Sequence, residues 1–329
     1  MDIKISKITV LLISFATIGF LQSFHWEQMY NTQLIQANYE VIERTPPWRV
    51  NQSRLMGPAI LKILTLIGFS KWWALRLFAA VFVIFNNFLY VKSISLFTDS
   101  KYQIINSLLI FNSLFIISQD KWLYVWDFLD ISFFIFYGLV IFKDKYMKYL
   151  VLVNFLHIFN RESALIMCVF FIYVLFINKN KNIENLIKDK LFLGLSFNFI
   201  FGLIYTYFAR TLLFIEQSTL IDGGGGQDLG NNFLGGNWVT PSLNLYYILN
   251  GEIVTNILIL GSLLTALLFI IKKYKSFNFS EKFFSIATII NIIPIFIFGI
   301  YVETRQLFPS IVMICFLLFS LSIKNQKIK

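Results

Sequence analysis

The chain has 329 residues, 57% of them hydrophobic and 18% aromatic, with only 14% charged. That composition excludes a soluble or disordered chain and defines an integral membrane protein. The net charge of +10 suits loops that face anionic lipid, and nothing in the sequence points to nucleic acid.

The first apolar run, residues 5–24, opens among Lys4 and Lys7 and looks like a signal sequence. It ends Leu21-Gln22-Ser23-Phe24 without a small-residue cleavage site, so a retained first span is expected. Residues 28–42 read as a surface helix, because Tyr30, Leu34, Ala37 and Val41 recur at helical spacing among Gln and Asn. Thr45-Pro46-Pro47 then breaks it. The apolar stretch 55–69 opens on Gly57-Pro58, contains Lys62 and is too short to cross, so a second helix lying on the membrane surface is expected there. Further spans are drawn at 72–97, 104–118, 128–142, 149–160, 162–177, 191–214, 252–271, 283–301 and 306–323. The expected fold is an all-α polytopic membrane protein of about ten transmembrane helices. With no polar stretch beyond about forty residues, residues 1–329 form a single membrane domain.

With these spans every arginine (44, 49, 54, 76, 161, 210 and 305) falls on one side, and 18 of the 21 lysines fall on the other. Positive charge near a membrane marks the cytoplasmic face, so lysine places both termini inside, and the Ile, Phe, Asn and Lys bias leads to the expectation of a bacterial plasma membrane. Arginines held on the outer face then need another reason to be there, and bidentate binding of an anionic group supplies one. Two outer segments follow, 25–71 and 216–250. The second carries Asp222-Gly-Gly-Gly-Gly226, which lacks the Gly-Lys-Ser/Thr ending of a phosphate-binding loop and reads as a lid or a plain connection. Cys168 and Cys315 lie in apolar runs, which argues against a disulfide frame or a zinc site.

Candidate chemistry lies on the arginine side. Glu27, straight after the first span, is placed as a general base or as a helix-start acid. Asp127 and Asp130 sit three apart on one helical face; they can hold a divalent cation or an acceptor hydroxyl, and nothing demands a metal. The alternative is Asp127 as an N-cap with Asp130 in the first turn. Asn154, His157 and Arg161 share a face, and Asn160-Arg161-Glu162 lies between two apolar runs, so Arg161 and Glu162 must find partners. Arg305, beside Glu303, can bind a phosphate.

An acid just past the first span, two juxtamembrane helices, the entry Arg54-Leu55-Met56-Gly57-Pro58 and then Ala74-Leu75-Arg76-Leu77 opening the second span together resemble the GT-C superfamily. These polytopic glycosyltransferases use polyprenyl-phosphate sugars; protein O-mannosyltransferases and the lipid A aminoarabinose transferase belong to it. The ordered pattern covers about residues 1–100. The resemblance implies that Glu27 is the catalytic carboxylate, although relatives often carry Asp beside a second acid and here Trp26 and Gln28 flank it. It also implies a polyprenyl-phosphate-linked sugar as donor, a glycan or lipid as acceptor, and Arg54, Arg161 and Arg305 as the groups that hold the phosphate. Asp127, Asp130, His157, Asn160, Glu162 and Glu303 line the site in this reading.

The patterns Asn160-Arg161-Glu162 and Glu303-Thr304-Arg305 are also similar to those of O-antigen-type polysaccharide polymerases, which join lipid-linked repeat units. A transporter or flippase is the third reading; against it, charge gathers at span ends on one side and hydropathy shows no repeat.

Overall fold

The computed structural model describes residues 6–22, 31–43, 53–118, 124–178, 186–211, 241–298 and 304–326. It is all-helical, at 89% helix, with no strand among the described residues. Polar caps set several of the helix starts. Ser6 caps α1 (Lys7–Leu21), Ser70 caps α4 (Lys71–Ile94) and Ser100 caps α5 (Lys101–Ile117), each hydroxyl accepting from an N–H that the helix cannot satisfy itself. The two expected juxtamembrane segments are helical, as α2 (Asn31–Glu43) and α3 (Met56–Leu66).

The chain continues through α6 (Val125–Phe142), a 3-10 turn (Asp144–Tyr149), α7 (Leu150–Ile158), α8 (Ser163–Asn178) and α9 (Lys190–Thr211). After these come α10 (Pro241–Asn250), α11 (Ile253–Lys273), α12 (Phe279–Phe298) and α13 (Phe308–Gln326). Five stretches are long and apolar enough to cross a membrane: α4, α6, the Lys190–Ala209 part of α9, Asn256–Ser276 and the Phe279–Ile297 part of α12. Shorter apolar helices accompany them, among them α1, α3 and α5.

Helix α6 is the hub. It packs against α3, α4, α7, α12 and α13, and 83% of its apolar window is buried. Two close approaches make this possible. A Cβ on Gly138 would lie 2.3 Å from the Phe316 ring of α13, and one on Gly57 would lie 2.6 Å from Val125 Cγ2, so α13 approaches α6 and the start of α3 crosses the start of α6 only because Gly138 and Gly57 lack side chains. At the other extreme only 11% of the α11 window is buried, and Ile253, Ile257, Leu258, Leu268 and Ile271 are exposed. A largely apolar exposed surface of this kind suits hydrocarbon rather than water.

Amides join the first helices. Thr17 Oγ1 donates to Asn112 Oδ1 at 2.8 Å, Asn87 and Asn112 exchange hydrogen bonds at 3.2 and 3.0 Å, and Asn87 Nδ2 donates to Ser14 Oγ at 2.9 Å. Where both helices face apolar side chains, such bonds hold register that the hydrophobic effect does not. Helix α2 is tied to α3 by Tyr39, whose hydroxyl reaches the Leu61 carbonyl at 3.4 Å. Burial, with Glu43 adding to it, pushes that phenol up to about 12, so it stays a donor at any physiological pH.

The bundle has two chemically different ends. At one, Lys324 Nζ donates to the Ser276 carbonyl at 2.7 Å and sits 3.8 Å from buried Glu281, which forms a reciprocal cap with Asn278 at the start of α12. Lys143, Lys272, Lys273 and Lys275 lie in or beside the same set of helix ends. The opposite end carries the arginine cluster described below.

Asn112→Leu keeps the branched four-atom side chain but strands Thr17 and Asn87. It is expected to lower the unfolding free energy by about 1–2 kcal/mol, read as thermal melting in detergent. An unchanged melt would mean that the amide network adds nothing net.

Candidate functional site

The site is built where three chain segments meet: the first turns of α6, the turn between α7 and α8, and residues 53–55 before α3. Helix α6 starts after extended Tyr124, and Asp127 occupies its third position rather than the cap itself. Asp127 Oδ2 accepts from the Tyr124 N–H at 2.9 Å, closing the first turn, and Val125 N donates to Asn38 Oδ1 of α2 at 3.0 Å. Helix α7 stops at Ile158, so Arg161 lies on the turn and not on the helix face expected from its spacing with Asn154 and His157. The N–H groups of Asn160 and Arg161 both reach back to the His157 carbonyl, at 2.9 and 3.0 Å. Asn160 Nδ2 then donates to the Trp126 carbonyl at 3.0 Å, and Met56 N to the Phe159 carbonyl at 3.0 Å, which fixes the turn against both α6 and α3.

This placement drives Arg161 between two wholly buried carboxylates. Its Nη1 donates to Asp127 Oδ1 at 3.0 Å and to Asp130 Oδ2 at 3.2 Å. Among the described residues Nη1 alone is engaged; the Nε–Nη2 edge takes no partner there, and the side chain keeps 11% exposure. One nitrogen is therefore anchored while the bidentate edge of the same planar group is left over.

Asp130 Oδ1 accepts from His157 Nε2 at 2.5 Å and from Ser163 Oγ at 2.8 Å. Tyr137 Oη accepts from Asn154 Nδ2 at 3.1 Å, so its single proton goes to His157 Nδ1 at 2.9 Å. That pattern assigns the neutral Nε2–H tautomer to His157. The network runs on inward: Asn154 Oδ1 accepts from Cys168 Sγ at 2.8 Å and from Asn198 Nδ2 at 3.1 Å. It spans Asp127 to Tyr137, three turns of α6 or about 15 Å. The His157 ring also stacks on Phe133 at 4.4 Å.

Two chemistries are set aside by this geometry. Ser163 and Asp130 share the same histidine nitrogen, at 3.1 and 2.5 Å, so the serine is not relayed to the aspartate through the ring as a nucleophilic triad requires. The oxygens of Asp127 and Asp130 that face each other hold a guanidinium nitrogen, so the pair is built around Arg161 rather than around a metal ion.

A second pair adjoins the first. Glu162 takes Ser53 Oγ at 2.8 Å and Arg54 Nη2 at 3.4 Å, and the Arg54 guanidinium lies over the Trp126 ring at 5.2 Å. Arg161 and Glu162, neighbours in sequence, thus pair with different partners and not with each other. The turn Thr304–Leu307 leads into α13, whose Phe308 packs on Phe115, and Phe115 on Phe128 of α6. The backbone of residue 305 is therefore at this end. Glu27, Glu303, the side chain of Arg305 and the glycine-rich stretch lie outside the described residues.

Sequence reasoning brought Arg54, Asp127, Asp130, His157, Asn160, Arg161 and Glu162 forward separately; the structure joins them. It passed over Tyr137 and Asn198. Tyr137 had a readable signal, seven residues after Asp130 and so on the same face of α6, whereas Asn198 is one amide in an apolar helix.

None of the protein-family models, curated proteins or solved structures compared with the chain matches it.

Asp130→Ala removes the carboxylate that the Arg161 guanidinium and the buried His157 imidazole share, leaving Arg161 with Asp127 alone among the described residues. It is expected to destabilise the chain by about 3–5 kcal/mol, against about 1 kcal/mol for Ser163→Ala, measured by denaturant titration in detergent. Equal and small losses would show that the cluster is solvated rather than buried.

Proposed function

We propose that this chain is a glycosyltransferase that moves a sugar from a polyprenyl-phosphate donor to a glycan or lipid acceptor at the outer face of the cytoplasmic membrane. It crosses that membrane about ten times, with both termini and the lysine-rich end inside. The observation that carries the reading is the posture of Arg161. Two buried carboxylates hold one of its nitrogens and leave its bidentate edge over. A guanidinium fixed in advance stabilises charge that develops on a leaving phosphate without reorganising at the moment of reaction.

The described cluster sets three carboxylates (Asp127, Asp130 and Glu162) against two guanidinium groups (Arg54 and Arg161). Net charge there does not favour an anion, so the departing phosphate requires Arg305 as a third cation. Glu27 takes the proton of the acceptor hydroxyl as it attacks the anomeric carbon, and a single displacement inverts that centre. The GT-C resemblance supports the assignment of Glu27. One observation favours the second reading, a polymerase of lipid-linked repeat units: all three carboxylates of the described cluster are engaged by arginine, so none of them stands free as a base.

The test is a mass-spectrometric profile of lipid-linked sugars and surface glycan. It compares a deletion strain complemented with wild type, Arg161→Lys or Glu27→Gln at matched expression. The lysine keeps the charge but loses the planar fork, and transfer is expected to fall at least about tenfold; Glu27→Gln is expected to abolish it. Glycan lacking one residue with unused donor lipid supports the transferase. Accumulated complete repeat units support the polymerase, and an unchanged profile removes both. The topology has its own check: Phe233→Cys is expected to label from outside, and Asn182→Cys only after permeabilisation.

A further inference from the structure

Among the buried hydrogen-bonding atoms at the arginine end, the indole Nε1–H of Trp126 and the amide Oδ1 of Asn160 have no partner among the described residues. Both side chains are wholly buried, and the Asn160 amide is held at the Trp126 backbone, its Nδ2 donating to the Trp126 carbonyl. Folded proteins seldom leave such atoms unsatisfied, and each case asks for a reason. Here the bundle otherwise satisfies its amides. Asn86, Asn87, Asn112 and Asn154 each use both the oxygen and the nitrogen of the side chain. Asn160 uses only the nitrogen.

The chemistry of the two vacant positions is specific. Nε1–H wants an acceptor; Oδ1 wants a donor. A phosphate oxygen or carboxylate suits only the first, while hydroxyl groups suit either, accepting from the indole N–H and donating to the amide oxygen. The surroundings point the same way. Among the described residues Asp127, Asp130 and Glu162 outnumber Arg54 and Arg161 around this wall, a balance that favours a neutral group over a further anion. The indole already carries two ring contacts, Tyr124 stacked at 4.4 Å and the Arg54 guanidinium at 5.2 Å, while its N–H edge is unused among the described residues.

We propose that Trp126 and Asn160 form the subsite for saccharide hydroxyl groups, separate from the arginine edge that meets phosphate. The proposal rests on the glycosyl-transfer reading for the kind of molecule that arrives, and on the two vacant atoms for where it binds. It divides the site into a hydroxyl-reading wall and a charge-stabilising edge. Trp126 and Asn160 are then specificity-determining residues, because a buried vacant donor and acceptor reject a sugar that lacks the matching hydroxyls.

The test uses the full chain in detergent micelles with 15N-labelled tryptophan. Trp126→Phe assigns the indole resonance and removes the N–H while keeping an aromatic ring. The probes are a panel of methyl glycosides of hexoses and N-acetylhexosamines, and inorganic phosphate. At least one glycoside is expected to shift the Trp126 signal saturably, with Trp126→Phe weakening its binding about tenfold, while phosphate leaves the signal in place. If Trp126→Phe does not fold, Asn160→Ser is read in its stead, with loss of the glycoside-dependent shift expected. A Trp126 signal that no glycoside moves assigns the two atoms to a buried water and overturns the proposal; a signal moved by phosphate overturns it as well. The two readings fail separately. A normal glycan profile on deletion, with glycoside bound at Trp126, removes the transferase and keeps the subsite; a glycan defect without any shift removes the subsite and keeps the transferase.

Discussion

The bond set of Arg161 is the constraint on which the rest of this end depends. A guanidinium among apolar helices is tolerated only when it is paired and hydrogen-bonded. Satisfying it with both Asp127 and Asp130 pulls the α7–α8 turn onto the first turns of α6. The neighbouring bonds follow from that contact: Asn160 caps the Trp126 carbonyl, Phe159 accepts from Met56, and Glu162 is turned toward Ser53 and Arg54. Residues distant in sequence are thereby collected without any long loop having to position them.

Rigidity comes from depth. Asp130 is held from the inner side by His157 and Ser163, and His157 by Tyr137, itself held by Asn154. Every member of this relay belongs to α6, α7, α8 or α9, the helices that also pack together through Phe133, Phe134 and Phe171. A polar chain of this length inside a bilayer is stable only because each donor finds an acceptor; a half-satisfied version would be worse than an apolar core. The contrast with Trp126 and Asn160 is what marks those two residues out.

Charge is divided between the two ends by chemistry as well as by sign. At the lysine end Glu281 is consumed in capping α12, and Lys324 serves a helix-end carbonyl, as compact ammonium groups do at an aqueous boundary. At the other end arginines are pinned by carboxylates or laid over rings, with Arg76 3.5 Å from the centre of Trp72 and Arg54 over Trp126. Planar guanidinium makes both arrangements possible; ammonium does not.

The sequence by itself determined the all-helical, membrane-embedded class, because hydrophobic runs of this length and composition have no other stable solution in lipid. It also determined the two extra helices before α4, and that Arg161 and Glu162 needed partners, since an unpaired charge at such a position is costly whatever the fold. Which partners they take was decided only by tertiary structure. Adjacent residues on a turn point apart, so Arg161 turned to Asp127 and Asp130 while Glu162 turned to Arg54, a choice no spacing rule contains. The same holds for Asp127, expected as an N-cap or a cation ligand and found at the third position of the helix with a guanidinium in its grip. Periodicity reports which face a residue occupies, whereas pairing depends on which helix stands opposite, and that is fixed by packing as close as Gly57 on Val125 and Gly138 on Phe316.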